Sequence, residues 1–408
     1  MTERASRSID VPHPADRRSP TPAGAAALPS RDGPETVLWL FANPLAPGGT
    51  AAHFGRLAAT LDAADWRVIA VAPNFDQPEI RRYFEGSPAE LVTIPRLGRA
   101  PIDAAGVLTL RRLMKSRGIS ILHSVHVKSD VLGTIAAALA GVRHQVSSLE
   151  VYYIAPGGPK AWIYKTAFRA FVGGRIERFI ALSPQSKREF LEQVSYDPQR
   201  VVVIPLGIDI GGQQLQPRTP NGNPVVFGAL GRFIPEKGFD LLIDAFRKVE
   251  SRLPSAQLMI AGSGPQEASL RERAARCGLN GSVQFVGWAE RVERFLEPVD
   301  VVVFPSRARF DGLPHVVLEA MLHSRPVVAT DVGGVRSVVD DGLTGLLVKP
   351  NDPSALAEAM MRAATQPAAR LARASAAKAR IVTEHSRELE ASRLSALYRE
   401  MLGKAGPP

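Results

Sequence analysis

Twice along the chain an apolar run of strand length ends in a glycine-bearing loop and gives way to a helical pattern: over residues 36–42 (TVLWLFA) and again over residues 225–231 (VVFGALG). Runs that are apolar throughout, rather than alternating, read as strands buried on both faces. A strand, a tight turn and a helix in repetition form the unit of a doubly wound parallel sheet. In the first half the turn covers 43–49 and the helix 50–64. Strands follow at 68–72 and 91–94, then a basic helix at 106–117 and a strand at 120–123 (SILH). An alanine-rich helix comes next, and strands at 179–183 and 201–205 close that half. Residues 207–224 are rich in Gly, Gln, Pro and Asn, lack periodicity and read as a linker. The alternation then restarts with strands at 225–231, 257–261, 283–286 and 301–304 and helices at 238–252 and 265–277. Further helices cover 354–364 and 386–402. The expected fold class is α/β, two doubly wound units in tandem. The expected divisions are a disordered tail (1–34), a first domain (35–206), the linker (207–224), a second domain (225–385) and a closing helix (386–408) that returns to the first domain.

A chain of 408 residues is long enough for two such units, each with its own core. The single Cys277 excludes an internal disulfide and fits a reducing compartment. The longest apolar stretch, 131–142, is short of the roughly 20 residues that span a bilayer. The first 34 residues, rich in Pro, Arg, Ser and Ala, contain no signal-peptide apolar region. A cytoplasmic protein is expected, with peripheral association at the inner face of the cell membrane as an extension. That extension comes from charge. Between Arg96 and Arg188 stand fifteen Lys/Arg against four Asp/Glu, an excess that accounts for the whole net charge of +10. Such a patch calls for an acidic partner. Residues 152–172 add aromatics to it, with Trp162, Phe168 and Phe171 among Lys160, Lys165 and Arg169. A basic amphipathic helix of this kind either lies in a membrane interface or packs its aromatics on the core.

The densest chemistry is at residues 310–321, FDGLPHVVLEAM, where Asp311 and Glu319 stand eight positions apart across a loop that becomes a helix. Gly312 lets backbone approach a ligand, Leu313 completes the turn, and Pro314 suits a first helical turn. Free amides at a helix start favour an anion. Paired carboxylates flanking an anion site suit a molecule with hydroxyls at both ends and phosphate between, such as a nucleotide-sugar. Arg232 and Lys237, in residues 229–240 (ALGRFIPEKGFD), lie at a strand's carboxyl end, where two cations can clamp a diphosphate. Gly262 and Gly264 form a second glycine turn (AGSGP). As G-x-G-x-x-G it fails, because Glu267 stands at the third glycine, which argues against a dinucleotide-dependent dehydrogenase. Gly48 and Gly49 can bring amides up to a phosphate or simply make a tight turn. His126 follows the strand at 120–123, where open sheets place ligands; a core or solvated histidine is an equal reading on the residues alone, and His123 is a weaker candidate. The sequence carries no D-x-D, no Walker A string and no His/Cys cluster at metal spacing.

These motifs together resemble the retaining glycosyltransferases of family four, the group 1 type with the GT-B fold. The resemblance runs from Trp39 to Leu402, strongest in the second half, through G-R-F-x-x-E-K-G, G-x-G-P, the acid-x7-acid helix with G-L-P and L-E-A-M, and VVATDVGGVRSVVDDGLTGLL at 327–347. It departs at Asp311, where Glu is usual, at Ser337, where Glu is frequent, and after Gly49, where the family's acid is missing. It implies two Rossmann-like domains with the reaction in the cleft, the acceptor held mainly by the first and a nucleotide-sugar, UDP- foremost, mainly by the second. It also implies roles: Arg232, Lys237 and the amides near Gly312, Leu313 and Pro314 stabilise the leaving diphosphate, Glu319 holds the ribose, and Asp311 orients the sugar. Gly48, Gly49, Gly262 and Gly264 border the donor, and His126 lies near the reacting carbon. No metal or other cofactor is expected. The acceptor would be a saccharide or a lipid-linked hydroxyl, in cell-surface polysaccharide or glycolipid synthesis; an anionic membrane surface is a further partner, and nucleic acid is not expected. Two alternatives stand beside this: a nucleotide-sugar epimerase of the same fold, and a non-catalytic nucleotide-sugar or polyanion-binding protein.

Overall fold

The computed structural model describes residues 33–99, 103–149, 168–194, 196–212, 214–218, 224–307 and 313–404. Seven parallel strands form the first sheet: β1 (Glu35–Phe41), β2 (Trp66–Ala72), β3 (Glu90–Thr93), β4 (Ile121–Val125), β5 (His144–Leu149), β6 (Arg178–Ala181) and β7 (Val201–Val203), in the order β3-β2-β1-β4-β5-β6-β7. Six parallel strands form the second: β8 (Val226–Leu230), β9 (Gln257–Ala261), β10 (Val283–Gly287), β11 (Val301–Phe304), β12 (Val327–Thr330) and β13 (Gly345–Val348), in the order β10-β9-β8-β11-β12-β13. Helices α1 (Gly49–Thr60), α2 (Ala104–Arg117), α3 (Val127–Ala140) and α4 (Pro184–Val194) serve the first sheet. Helices α5 (Phe239–Glu250), α6 (Glu267–Arg276) and α7 (His315–Leu322) serve the second, and α8 (Pro353–Thr365), α9 (Pro367–Glu384) and α10 (Arg387–Met401) follow. Among the described residues no helix is long and apolar enough to cross a membrane.

The first strand shows why the sheet is covered on both sides. Val37, Trp39 and Phe41 join one cluster with Phe54, Leu57 and the last helix, while Leu38 and Leu40 join another with Leu110, Met114, Leu132 and Ala136. Each such side chain is fully buried, a gain of roughly 1.5–3 kcal/mol apiece. Helix α1 ends at Thr60, short of the expected residue 64. Asp62 Oδ1 takes the Ala64 N–H (2.9 Å) and the Asp62 carbonyl takes that of Trp66 (2.9 Å), a local turn that competes with the helix. Strand β4 runs on to Val125, so His123 lies inside it. Strand β5 and helices α4 and α9 have no counterpart in the sequence reading.

The last helix belongs physically to the first sheet. Trp39 Nε1 donates to Tyr398 Oη (3.0 Å), whose hydroxyl meets His123 Nδ1 (2.6 Å), and His123 Nε2 reaches Ser148 Oγ (2.8 Å). Trp66 Nε1 donates to Ser395 Oγ (2.7 Å). The two chain crossings between the halves are tied together: Ile208 N–H donates to the His385 carbonyl (2.8 Å), and Arg387 N–H to that of Ile208 (3.0 Å). Leu206 and Ile208 are buried in the second half's core beside Ile381.

Candidate functional site

Each sheet has one place where the strand order reverses, between β1 and β4 and between β8 and β11. Open parallel sheets bind ligands there, outside the carboxyl ends of the strands. At the second reversal, the loop after β8 carries Arg232 and Lys237, and the segment after β11 leads through Leu313 and Pro314 into α7 and Glu319. At the first, the loop after β1 holds Gly48 and Gly49, and His126 directly follows β4.

The β8 loop is built rigidly. A Cβ on Gly262 would collide with the Gly231 carbonyl oxygen, and one on Gly264 would stand 2.7 Å from that of Phe233. These glycines let the β9 turn lie flat on the β8 loop, where Phe233 N–H donates to the Ser263 carbonyl (2.8 Å). Gly238 adopts φ 67°, and a Cβ there would strike Pro305. Arg307 locks the loop from the other side. Its N–H donates to the Glu236 carbonyl (2.8 Å), Nη1 to that of Pro235 (3.1 Å) and Nη2 to Asp240 Oδ2 (2.6 Å). Lys237 Nζ lies 5.7 Å from the Phe304 ring centroid, and Arg232 is exposed. Asp311 and Gly312 lie outside the described residues. Leu313 is buried against the turn after β12, where a Cβ on Gly334 would stand 3.0 Å from Leu313 Cα. Pro314 is the N-cap of α7 rather than its first helical residue. Its ψ of 120° is extended, and its carbonyl accepts from Val317 N–H (3.0 Å).

Gly48 and Gly49 both have positive φ, 83° and 38°, and Gly48 N–H donates to Tyr83 Oη (2.9 Å). The Trp288 ring, from the second half, comes within 3.5 Å of where a Gly48 Cβ would stand. His126 has φ 72°, a conformation that disfavours every residue but glycine, held at the junction of β4 and α3. One turn on, Asp130 is fully buried. Burial pushes its carboxyl up to about 7, against the pull of Ser124 Oγ, which donates at 2.5 Å. His123, by contrast, is a core residue committed to Tyr398 and Ser148.

Glu319 is the meeting point of the halves. Burial pushes its carboxyl up to about 7; Arg56 of α1, with Nη1 3.7 Å from Oε1, opposes this, and Glu293 reinforces it. Beside this pair the His53 and His315 rings stand 5.8 Å apart, and His53 Nε2 meets Glu390 Oε1 of α10 (2.7 Å). The structure thus brings Arg232, Lys237, Gly262, Gly264, Leu313 and Pro314 to the loops around one sheet reversal, with Glu319 at the boundary of the halves. It adds Arg56, Trp288 and Arg307, which carry no local sequence signal: each is defined by a partner distant in the chain.

Residues 47–211 match a family model described as Glycosyltransferase Family 4, and residues 224–366 one described as Glycosyl transferases group 1. Over 276 residues the chain is 25% identical to a UDP-Gal:alpha-D-GlcNAc-diphosphoundecaprenol alpha-1,3-galactosyltransferase of Escherichia coli, covering 64% of this chain and 70% of that protein. It is 29% identical to a GDP-mannose-dependent monoacylated alpha-(1-6)-phosphatidylinositol monomannoside mannosyltransferase of Corynebacterium glutamicum, covering 85% and 93%. Among solved structures, Anabaena HepE in complex with UDP and glucose superposes with a TM-score of 0.75 at 21% identity, covering 90% of this chain and 100% of that one.

Proposed function

We propose, for a chain that belongs to the group 1 glycosyltransferases of the family-four type and has their GT-B fold, that it moves a sugar from a nucleotide-diphosphate-sugar to a hydroxyl acceptor with retention at the anomeric carbon. The observation that carries this reading is the second sheet's reversal. Two cations sit on a loop locked by Arg307 and a glycine turn, and a helix opening without a side-chain cap follows on the neighbouring strand, bearing a buried carboxylate. A UDP-sugar is the donor favoured, since one relative is named for UDP-Gal and a structural neighbour was solved with UDP; GDP is its competitor through the second relative. Both relatives' names describe lipid-borne acceptors, and a lipid-linked saccharide in surface-glycan synthesis is the acceptor proposed.

In this mechanism the bond from the anomeric carbon to the diphosphate oxygen breaks while the acceptor oxygen bonds to the same carbon from the same face. The acceptor's proton passes to the departing diphosphate, so atoms and charge balance without a protein nucleophile. Arg232, Lys237 and the amides opening α7 meet the negative charge that grows on the leaving oxygen. Glu319 accepts the ribose hydroxyls, Asp311 orients the sugar, and His126 serves the acceptor side. No metal takes part. Glu319→Ala should weaken UDP binding by roughly 1.5–3 kcal/mol, the worth of hydrogen bonds to a charged group. Titration calorimetry checks this, and unchanged affinity removes Glu319 from the site. A thermal-shift panel of UDP-, GDP- and ADP-sugars identifies the donor.

Docking on an anionic membrane is the second part of the reading. The aromatic-basic stretch around Lys160, Trp162 and Lys165 lies outside the described residues, as do the side chains of Arg169 and Phe171. The described part of the basic region has its own apolar surface: Leu108 on α2 and Ile135 and Leu139 on α3 are 48%, 43% and 50% exposed. Arg111, one turn beyond Leu108, donates to the Leu139 carbonyl (3.1 Å), and Arg112, Lys115 and Arg143 are exposed nearby in the chain. Basic residues near headgroups contribute about 1 kcal/mol each, fading within a Debye length. The protein should therefore sediment with anionic but not neutral liposomes, and less as salt rises. Leu108→Glu with Leu139→Glu, and separately the Lys160/Lys165/Arg169 triple Glu variant, should each reduce binding. Absence of binding to anionic liposomes overturns the membrane reading.

A further inference from the structure

Helix α1 of the first half and helix α7 of the second meet side chain for side chain. His53 and Arg56 are three residues apart on α1, and His315 and Glu319 four apart on α7, so each pair shares a helix face. His53 stands over His315, and Arg56 over Glu319. The α1 face cannot drift: Glu390 holds His53, and Gly55 is packed so closely on the Tyr83 carbonyl that a Cβ there would collide with it. We propose that Arg56 is a positioning residue of the nucleotide site, holding the Glu319 carboxylate from the opposite half as an anion aimed at the ribose hydroxyls. The inference rests on the reading above that Glu319 receives the ribose.

The physical need is specific. An ionised carboxylate offers two acceptor oxygens to two adjacent hydroxyls, whereas the neutral acid offers one acceptor and a competing O–H. A carboxylate taken out of water stays charged only with a cation at hand. The titratable groups around Glu319 are Arg56 and His53 from α1, Glu293 from the short helix at 292–296, and His315 and His323 on its own helix. Glu293 opposes ionisation, and histidines are cations only in acid. Among the described residues, the side chain in ion-pair range of Glu319 is Arg56. Its removal leaves the carboxyl higher than the value of about 7 it has with Arg56 present. The anion, and with it the ribose contact, is then recovered only at more alkaline pH.

The test is UDP titration calorimetry at about pH 6.5, 7.5 and 9 on wild type, Arg56→Gln, Arg56→Lys and Glu319→Gln. Reading each variant as a ratio to wild type at the same pH cancels the titration of the UDP phosphate. Arg56→Gln should bind about tenfold more weakly near pH 7.5, one pKa unit being a factor of ten, and approach wild type near pH 9. Arg56→Lys should stay within about threefold of wild type throughout, because the charge is kept. Glu319→Gln should be weak relative to wild type at pH 7.5 and 9. An Arg56→Gln deficit that is absent, or equal at all three pH values, overturns the proposal, the latter meaning that Arg56 merely supports the fold. Wild-type affinity in Glu319→Gln overturns the ribose reading instead. Should Arg56→Gln fail to fold, Arg56→Lys and Arg56→Met carry the same comparison.

Discussion

Replacing Lys237 or Arg232 by alanine should lower turnover by about 10²–10³-fold, the range seen when one preorganised group that stabilises a developing oxyanion is removed. Both side chains sit on the loop after β8, which cannot relax easily. Arg307 bonds it at Glu236, Pro235 and Asp240, and Gly262 and Gly264 press the neighbouring turn against it. The charge they meet is larger on the departing diphosphate than on the bound donor, so kcat should fall more than KM rises. UDP affinity should drop and uridine affinity should not, since uridine lacks the phosphates. Equal losses for uridine and UDP contradict the clamp. Because the two cations do the work that a divalent ion does elsewhere, a chelator should leave turnover unchanged. Abolition by EDTA, with recovery on adding a divalent ion, refutes the metal-free reading.

Tyr398→Ala should cost about 3–5 kcal/mol of stability, the range for emptying a buried aromatic site. The expected fall in melting temperature is on the order of 10 °C. Tyr398 is fully buried on α10, and burial pushes its hydroxyl pKa up, so it stays neutral as the link between Trp39 and His123. Tyr398→Phe isolates the polar part. It keeps the ring but strands the Trp39 N–H and a His123 nitrogen, and should cost about 1–3 kcal/mol. Thermal melts followed by circular dichroism check both, and an unchanged melt in Tyr398→Ala means that α10 does not dock on the first sheet. The loss should also reach the site, because α10 carries Glu390, the partner of His53 at the boundary of the halves.

Local chemistry was legible in the sequence wherever one short stretch contained the whole cause. The buried strands read clearly because each is a continuous apolar run, as in β1 and β11. The loop holding Arg232 and Lys237 and the helix holding Glu319 read clearly because glycine, proline and charge stand at fixed offsets beside those strands. Strand β5 did not, because Gln145, Ser147 and Ser148 disguise a buried strand as a polar one. Thr134 and His123, from a helix and from the next strand, satisfy Gln145 and Ser148. Helix α9 was missed as well, a charged, alanine-rich segment whose buried face meets the second half's core only through Ala377 and Ile381.

What the chain order could not show is everything that depends on a distant partner. Tyr398 finds Trp39 across 359 positions, and Arg56 finds Glu319 across the boundary between the halves. Motif spacing made Glu319 a candidate carboxylate, but its ionisation is a tertiary property. Desolvation by the packed halves pushes it toward neutrality and one arginine from the opposite half pulls it back, a balance of burial and charge that no local pattern encodes.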